Sequence, residues 1–265
     1  MPSGRGPAGR SAFALVTGAR RGIGRGIAWA LAEQGFDIVA NDLVDDADTR
    51  AMMDGIASRG RRAAFLAHDV ADVAGHATFV DRAFAAFGTI DCLVSNAGIQ
   101  VKVRGDLLDV TPESFDEVVR VNLRGTFFLT QAVARRMLAQ DRATSEPPRS
   151  LITISSTNAR TVGPNHAEYC VAKSGLAMLN QLFAQRLATQ DIMCYEIRPG
   201  IIRTGMTAGA FDRYDALIKD GVTPIRRWGE PADVGATVAA LARRLLPFST
   251  GDAFNVDGGL HMRVL

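Results

Sequence analysis

The chain has 265 residues, 47% hydrophobic and 22% charged, which excludes a disordered chain and suits one α/β domain. Thirty basic residues against 28 acidic ones leave a net charge of +2, too even for a protein whose main partner is nucleic acid. Cys92, Cys170 and Cys194 form no C-x-x-C pair, so neither a zinc site nor a disulfide framework is expected.

Residues 1–11 are rich in Gly, Pro, Arg and Ser and lack the apolar core of a signal peptide. They read as a flexible tail ahead of a single domain over 12–265. No apolar run reaches the ~20 residues a bilayer requires, so a cytoplasmic protein without a membrane partner is expected. Short β-branched runs then alternate with longer helical patterns. Residues 13–18, 36–42, 62–69 and 90–95 read as strands, and 22–34, 47–59 and 72–87 as the helices between and after them. Thr111-Pro112-Glu113 has the signature of a helix start, with Thr as N-cap and Pro in the first helical position, and that helix should run to about residue 140. A loop over 141–150 leads to a strand at 151–156, a long helix at 165–188 and a strand at 192–198. Residues 200–228 carry no sustained period and read as a substrate loop. A helix at 231–246 and a strand at 253–256 close the pattern. The strands alternate little between apolar and polar, as parallel strands covered on both faces do. Repeated β-α steps predict right-handed crossovers and a doubly wound sheet.

Thr17-Gly18-Ala19-Arg20-Arg21-Gly22-Ile23-Gly24 follows the first strand and opens the first helix. Its glycines permit a tight turn and close approach of backbone to a pyrophosphate, where a helix start offers free amides and positive potential. The spacing is G-x-x-x-G-x-G rather than G-x-G-x-x-G, so the strand–turn–helix context carries the inference. Asp42 ends the second strand, 24 residues after Gly18, where a carboxylate can accept hydrogen bonds from an adenosine ribose and repel the 2′-phosphate of NADP. Arg20 and Arg21 pull the other way, since either can meet a phosphate. NAD is therefore the expected cofactor and NADP the alternative.

Tyr169 and Lys173 stand four apart, on one face of a helix. A nearby ammonium lowers a phenol's pKa, which makes the tyrosine a usable acid or base. The pair is not isolated. Ser156 precedes Tyr169 by thirteen residues, Asn96-Ala97-Gly98 follows the fourth strand, Asn122 lies in the next helix, and Arg198-Pro199-Gly200 follows the sixth strand. With these motifs, over about residues 12–260, the chain resembles the short-chain dehydrogenase/reductase family, and within it the 3-oxoacyl-acyl-carrier-protein reductase-like members.

The resemblance implies a Rossmann-type domain with seven parallel strands, helices on both faces, an NAD(P) cofactor and a homotetramer. It implies a catalytic set of Asn122, Ser156, Tyr169 and Lys173, in which Tyr169 exchanges the proton, Ser156 orients the oxygen, Lys173 holds the nicotinamide ribose and Asn122 holds a relay water. It places Asp69 and Val70 at the adenine and Asn96, Ala97 and Gly98 along the cofactor; the Asn that usually precedes them is Ser95 here. Pro199, Gly200, Ile202 and Thr204 match the segment cradling the nicotinamide. Tyr169 and Lys173 also count among the cofactor contacts.

The expected partner is a small carbonyl or alcohol, with Asn158, His166 and Met206 as candidate substrate residues, joined by Arg160, Phe211 and Tyr214. Lys102 and Arg104 read either as a solvated loop or as an attractor of an acidic substrate or carrier. The alternatives are an NADPH-dependent 3-oxoacyl-thioester reductase and a non-catalytic dinucleotide sensor on the same fold.

Overall fold

Seven parallel strands form one sheet in the order β3-β2-β1-β4-β5-β6-β7. They are β1 (Ala12–Thr17), β2 (Phe36–Asp42), β3 (Ala63–Ala67), β4 (Cys92–Ser95), β5 (Arg149–Ile154), β6 (Ile192–Pro199) and β7 (Ala253–Val256). The computed structural model describes residues 11–141 and 147–262; the expected tail at 1–10 and the middle of the loop, 142–146, lie outside the described residues. Because β2 and β3 lie on one side of β1 and β4 on the other, the chain reverses direction across the sheet there. The crevice at the carboxyl ends of β1 and β4 is where open α/β sheets bind ligands.

The sheet feeds two cores, one on each face. Ala14 and Val16 of β1 point into one cluster with α1 (Gly22–Glu33), α2 (Ala47–Ala57) and α8 (Pro231–Ala242). Phe13 and Leu15 point into the other, with α3 (His76–Phe87), α5 (Thr126–Leu138) and α6 (Ala167–Leu187). This two-sided burial explains why the strands read as apolar runs. Cys92 and Cys194 are buried free thiols, each with its pKa pushed up to about 12 by burial.

Several boundaries depart from the sequence reading. Strand β5 starts two residues early, because the Arg149 guanidinium donates to the carbonyls of Met137 (2.6 Å) and Gln190 (3.1 Å) and ties the start of the strand to two neighbouring segments. Helix α8 stops at Ala242, with Arg244 in the left-handed region at φ 54°. The long helix after Thr111 does begin at Pro112, with Thr111 Oγ1 accepting from Ser114 N (3.3 Å). It is not one α-helix, however: α4 (Pro112–Val119) passes through a π-helical stretch, Arg120–Gly125, before α5. Residues 200–228 are more ordered than their pattern suggests. They hold a 3₁₀ turn (Gly205–Ala210) and α7 (Phe211–Lys219), whose Phe211 and Tyr214 pack edge-on against Trp228. An aromatic cluster brings together residues too far apart for a local period to register.

Helices α1 and α8 cross with almost no space between their backbones. A Cβ on Gly26 would stand 2.6 Å from Pro231 Cβ and 2.8 Å from its carbonyl, and one on Gly235 would stand 2.7 Å from Gly26 O. Overpacking here has to move backbone. Gly26→Val should therefore lower stability by about 1–3 kcal/mol, although valine is the better helix former. Gly105→Ala, where an added Cβ meets nothing within 4 Å, should change stability by less than ~0.5 kcal/mol. Chemical denaturation of the two variants checks the contrast.

Candidate active site

The glycine turn is braced from β4. Thr17 Oγ1 accepts from the backbone N–H groups of Asn96 and Ala97, both at 3.0 Å. The Asn96 side-chain amide donates back to the carbonyls of Thr17 (2.9 Å) and Gly18 (3.1 Å). Gly18 (φ 63°) and Gly22 (φ 55°) occupy the left-handed region. Gly24 packs so closely that a Cβ would fall 2.0 Å from Gly18 O. No side chain caps the start of α1, so the amides of its first turn, from Gly22, Ile23 and Gly24, face the crevice without a side-chain acceptor. Thr204 closes the far side, 3.5 Å from where a Gly22 Cβ would be, and its backbone N–H is held by Thr207 Oγ1 (3.1 Å). Beside it, Gly200 N donates to Val256 O (3.0 Å) behind Pro199, and Ile202 is buried in the core. These features form a cradle suited to a dinucleotide pyrophosphate.

On the adenosine side, Asp42 Oδ1 accepts from Leu43 N (2.8 Å) and Oδ2 from Arg20 N (3.3 Å). The Arg20 side chain does not project into the crevice as a free cation. It is ringed by Asp42 (3.7 Å), Asp48 (3.8 Å) and Asp46, which it bonds directly. Asp46 also caps α2 by accepting from Thr49 N (3.2 Å). Arg21 is exposed. Asp69 Oδ1 accepts from Ala71 N (2.8 Å), and Val70 O accepts from His76 Nε2 (2.9 Å). A Cβ on Gly125 would meet Val70 O at 2.4 Å, which couples the adenine side to the π-helical stretch.

The polar groups expected to share a site do converge. Ser156, Tyr169 and Lys173 are nearly fully buried and Asn122 completely so. Asn122 clamps the backbone of Ile99, with Oδ1 accepting from its N–H (2.7 Å) and Nδ2 donating to its carbonyl (2.9 Å). Gly98 is squeezed between Asn122 Oδ1 (3.0 Å from an added Cβ) and Lys173 Nζ (3.7 Å). The Lys173 ammonium donates to Ile154 O (3.1 Å) and lies 5.5 Å from the centre of the Tyr169 ring. Ser156 Oγ accepts from Asn158 N (3.1 Å), and Asn158 Nδ2 donates to Thr161 O (3.2 Å). His166 packs edge-on against Tyr169, with centroids 5.8 Å apart. Met206 is 57% exposed in the 3₁₀ turn, and Arg160 is exposed. Ser95, in the place of the usual Asn, is buried 3.5 Å from Thr130 Oγ1.

The electrostatics correct one expectation. Burial pushes the Tyr169 phenol up to about 12, against the opposing hydrogen bond with Ser156. Burial likewise brings the Lys173 ammonium down to about 8, against the attraction of Glu196. Desolvation outweighs the opposing effects of Ser156 on the phenol and of Glu196 on the ammonium. Glu196 was not singled out from the sequence. It is buried in β6, where it accepts from Ser155 Oγ and pairs with both Arg198 Nε (2.8 Å) and Nη2 (2.7 Å). A Glu inside the apolar run of a central strand was the available signal.

Comparison with known proteins agrees with this geometry. A family model described as enoyl-(acyl carrier protein) reductase matches residues 18–261. The chain is 33% identical over 248 residues to 2-dehydro-3-deoxy-D-gluconate 5-dehydrogenase of Dickeya dadantii, covering 93% of this chain and 94% of that one. It is 32% identical over 251 residues to L-rhamnose 1-dehydrogenase (NAD(P)(+)) of a Sphingomonas species, covering 94% and 96%. The crystal structure of a 3-oxoacyl-[acyl-carrier protein] reductase from Brucella melitensis in complex with NAD superposes with a TM-score of 0.93 at 48% identity, covering 97% of this chain and 100% of that one. The chain belongs to the short-chain dehydrogenase/reductase family. It is an oxidoreductase that transfers hydride between a nicotinamide dinucleotide and an alcohol or ketone.

The buried Lys173 has a consequence for stability. Below pH 8 both native and unfolded chains hold this proton, and the native state bears the whole cost of a desolvated ammonium. Between about 8 and the ~10.4 of an unfolded lysine, the unfolded chain binds more protons, so stability from this residue rises with pH. Lys173→Met lacks that titration. Its stability relative to the parent chain, without cofactor, should fall as pH goes from 7.5 to 10, by no more than ~3 kcal/mol. Denaturant titrations at several pH values measure this, and a flat difference contradicts it.

Proposed function

We propose that this enzyme interconverts a secondary alcohol and its ketone with NAD preferred over NADP, and that Tyr169 carries the proton. The observation behind this reading is the burial of Ser156, Tyr169, Lys173 and Asn122 around Gly98, at the mouth of a glycine cradle. The cradle suits the cofactor. Gly18, Gly22, Ile23 and Gly24 would face the pyrophosphate, and Asp42 the adenosine ribose. Asp69 and Val70 would border the adenine, Asn96, Ala97 and Gly98 the middle of the molecule, and Pro199, Gly200, Ile202 and Thr204 the nicotinamide. A bound nicotinamide supplies or accepts the hydride. With a pKa near 12, Tyr169 enters as a phenol, the form that protonates a carbonyl oxygen as negative charge develops there. Ser156 donates to the same oxygen and fixes its direction. In oxidation the phenol must first surrender its proton, and Lys173 is the charge that favours this. Asn122 acts by positioning Ile99 and Gly98, since both ends of its amide are already engaged.

NAD preference rests on charge. Placing a 2′-phosphate beside Asp42 adds repulsion, and Arg20 is already committed to three carboxylates. Of the two arginines in the glycine turn, the exposed Arg21 is left to compensate, and an exposed ion pair returns ~0–1 kcal/mol. The reading extends to a cytoplasmic homotetramer, which rests on the family resemblance. The rival thioester-reductase reading draws on the likeness to the Brucella melitensis 3-oxoacyl-[acyl-carrier protein] reductase. A non-catalytic sensor would have no use for the four buried polar groups.

Tyr169→Phe keeps the ring and loses the proton. Turnover should fall ~10²–10⁴-fold with cofactor affinity retained, measured by steady-state kinetics and calorimetric titration with NADH. Near-parental turnover would exclude the proposed role. The ratio of kcat/KM with NAD to that with NADP should be roughly 10–100 in the parent. In Asp42→Ala it should shrink or invert, as Asp46 and Asp48 keep Arg20 anchored while repulsion is relieved. A parent that favours NADP would show that Asp42 does not govern the ribose pocket.

A further inference from the structure

Arg104 was first noticed as one of two cations beyond the Asn96-Ala97-Gly98 motif. The two have different fates in the fold. Lys102 is neutralised on the surface by Glu117 (2.8 Å). Arg104 turns toward the active site. Its Nη1 lies 3.0 Å from His166 Nδ1 and donates to Asn165 Oδ1 (3.3 Å), and its Nη2 donates to Gln100 Oε1 (3.4 Å). Gly105 N donates to Asn165 O (3.3 Å), which fastens the loop to the start of α6. His166 in turn packs against the Tyr169 ring. The guanidinium is thus held one side chain away from the proton-carrying tyrosine.

All the groups that orient Arg104 are neutral. Arg104 is exposed, and no carboxylate among the described residues forms an ion pair with it. Glu168, two residues from His166, is buried and accepts from Ser114 Oγ (2.6 Å). Arg213 on α7 also has no carboxylate partner among the described residues and lies over the ring of Tyr214 (5.9 Å). Its charge and that of Arg104 both hold His166 below its ordinary pKa, after the larger effect of burial. A guanidinium has five N–H donors in a planar fork, of which the neutral partners use a minority. Such a fork matches a carboxylate.

We propose that Arg104 is a specificity-determining residue that binds a carboxylate on the substrate, so that the enzyme acts on small hydroxy acids or their keto acids. This rests on the alcohol–ketone reading above and narrows it. The inward hold on Arg104 favours a small anion in the pocket over an acidic protein docked outside it.

The experiment uses the full-length enzyme with NAD and a set of short hydroxy acids, each beside its primary amide and its phosphorylated counterpart. Malonate serves as a non-reacting probe of the enzyme–NAD complex by calorimetry. The hydroxy acids should be favoured over their amides by roughly 10- to 100-fold in kcat/KM, and malonate should bind. Arg104→Gln should erase that preference through KM, weaken malonate by at least about tenfold and leave NAD affinity and turnover of neutral alcohols unchanged; Arg104→Lys should restore part of it. Amides used as well as acids, together with no malonate binding, would overturn the proposal while Tyr169-dependent oxidation of neutral alcohols preserved the underlying reading. A preference for phosphorylated alcohols, or an Arg104→Gln effect confined to a thioester on an acidic carrier protein, would equally overturn it. Activity on no alcohol or ketone, with malonate still bound through Arg104, would instead discard the reaction assignment and keep the anion site.

Discussion

A single hydroxyl at the end of the first strand organises this molecule. Thr17 Oγ1 receives two amides from the chain leaving β4, and Asn96 returns two bonds to the carbonyls of Thr17 and Gly18. β1 and β4 pair along Ala14–Val16 and Cys92–Val94, but that ladder stops short of the loops leaving their carboxyl ends, which need a constraint of their own. The Thr17–Asn96 exchange supplies that constraint. With it in place, Gly18 keeps its left-handed turn, α1 starts with uncapped amides and Gly98 is delivered beside Asn122 and Lys173. Four bonds within a few ångströms couple the phosphate-facing turn to the proton-handling groups.

Burial, not the lysine–tyrosine pair, sets the electrostatic starting point of the site. Tyr169 and Lys173 are both driven toward their neutral forms, and the opposing help comes from below, from Ser156 and Glu196. In β6, Arg198 grips both oxygens of Glu196 and Ser155 donates to one of them. The π-helical stretch serves the same end. It interrupts a helix that would otherwise run unbroken and sets Asn122 where its amide can clamp Ile99, close against Gly125 and the adenine-side Val70.

Charge is distributed differently at the two ends of the crevice. On the adenosine side, acids outnumber Arg20 and neutralise it. At the substrate mouth, Arg104 is oriented by uncharged groups and keeps its charge. The same residue type is silenced in one place and available in the other. The decisive difference is the company it keeps in the fold, since both arginines stand in polar loops after a strand.

The order of strands and helices and the glycine turn were legible in the sequence because they depend on local period and short spacing, whereas the set of Ser156, Tyr169 and Lys173 was an expectation drawn from the family resemblance. The Thr111 helix start is legible for the same reason: its cap is made within three residues. Tertiary structure alone decided the rest. The helical order of residues 205–219 depends on Trp228 packing back on Phe211 and Tyr214. Arg149 extends β5 by reaching segments 12 and 41 residues away in sequence. The pKa values of Tyr169 and Lys173 follow from how much water the folded chain removes, which neighbours in sequence do not reveal. Arg20 and Arg104 are equally charged as sequence; the carboxylates that pair with Arg20 lie 22 to 28 residues away, and Asn165 and His166, which join Gln100 in holding Arg104, lie 61 to 62 residues away, at separations only the fold closes.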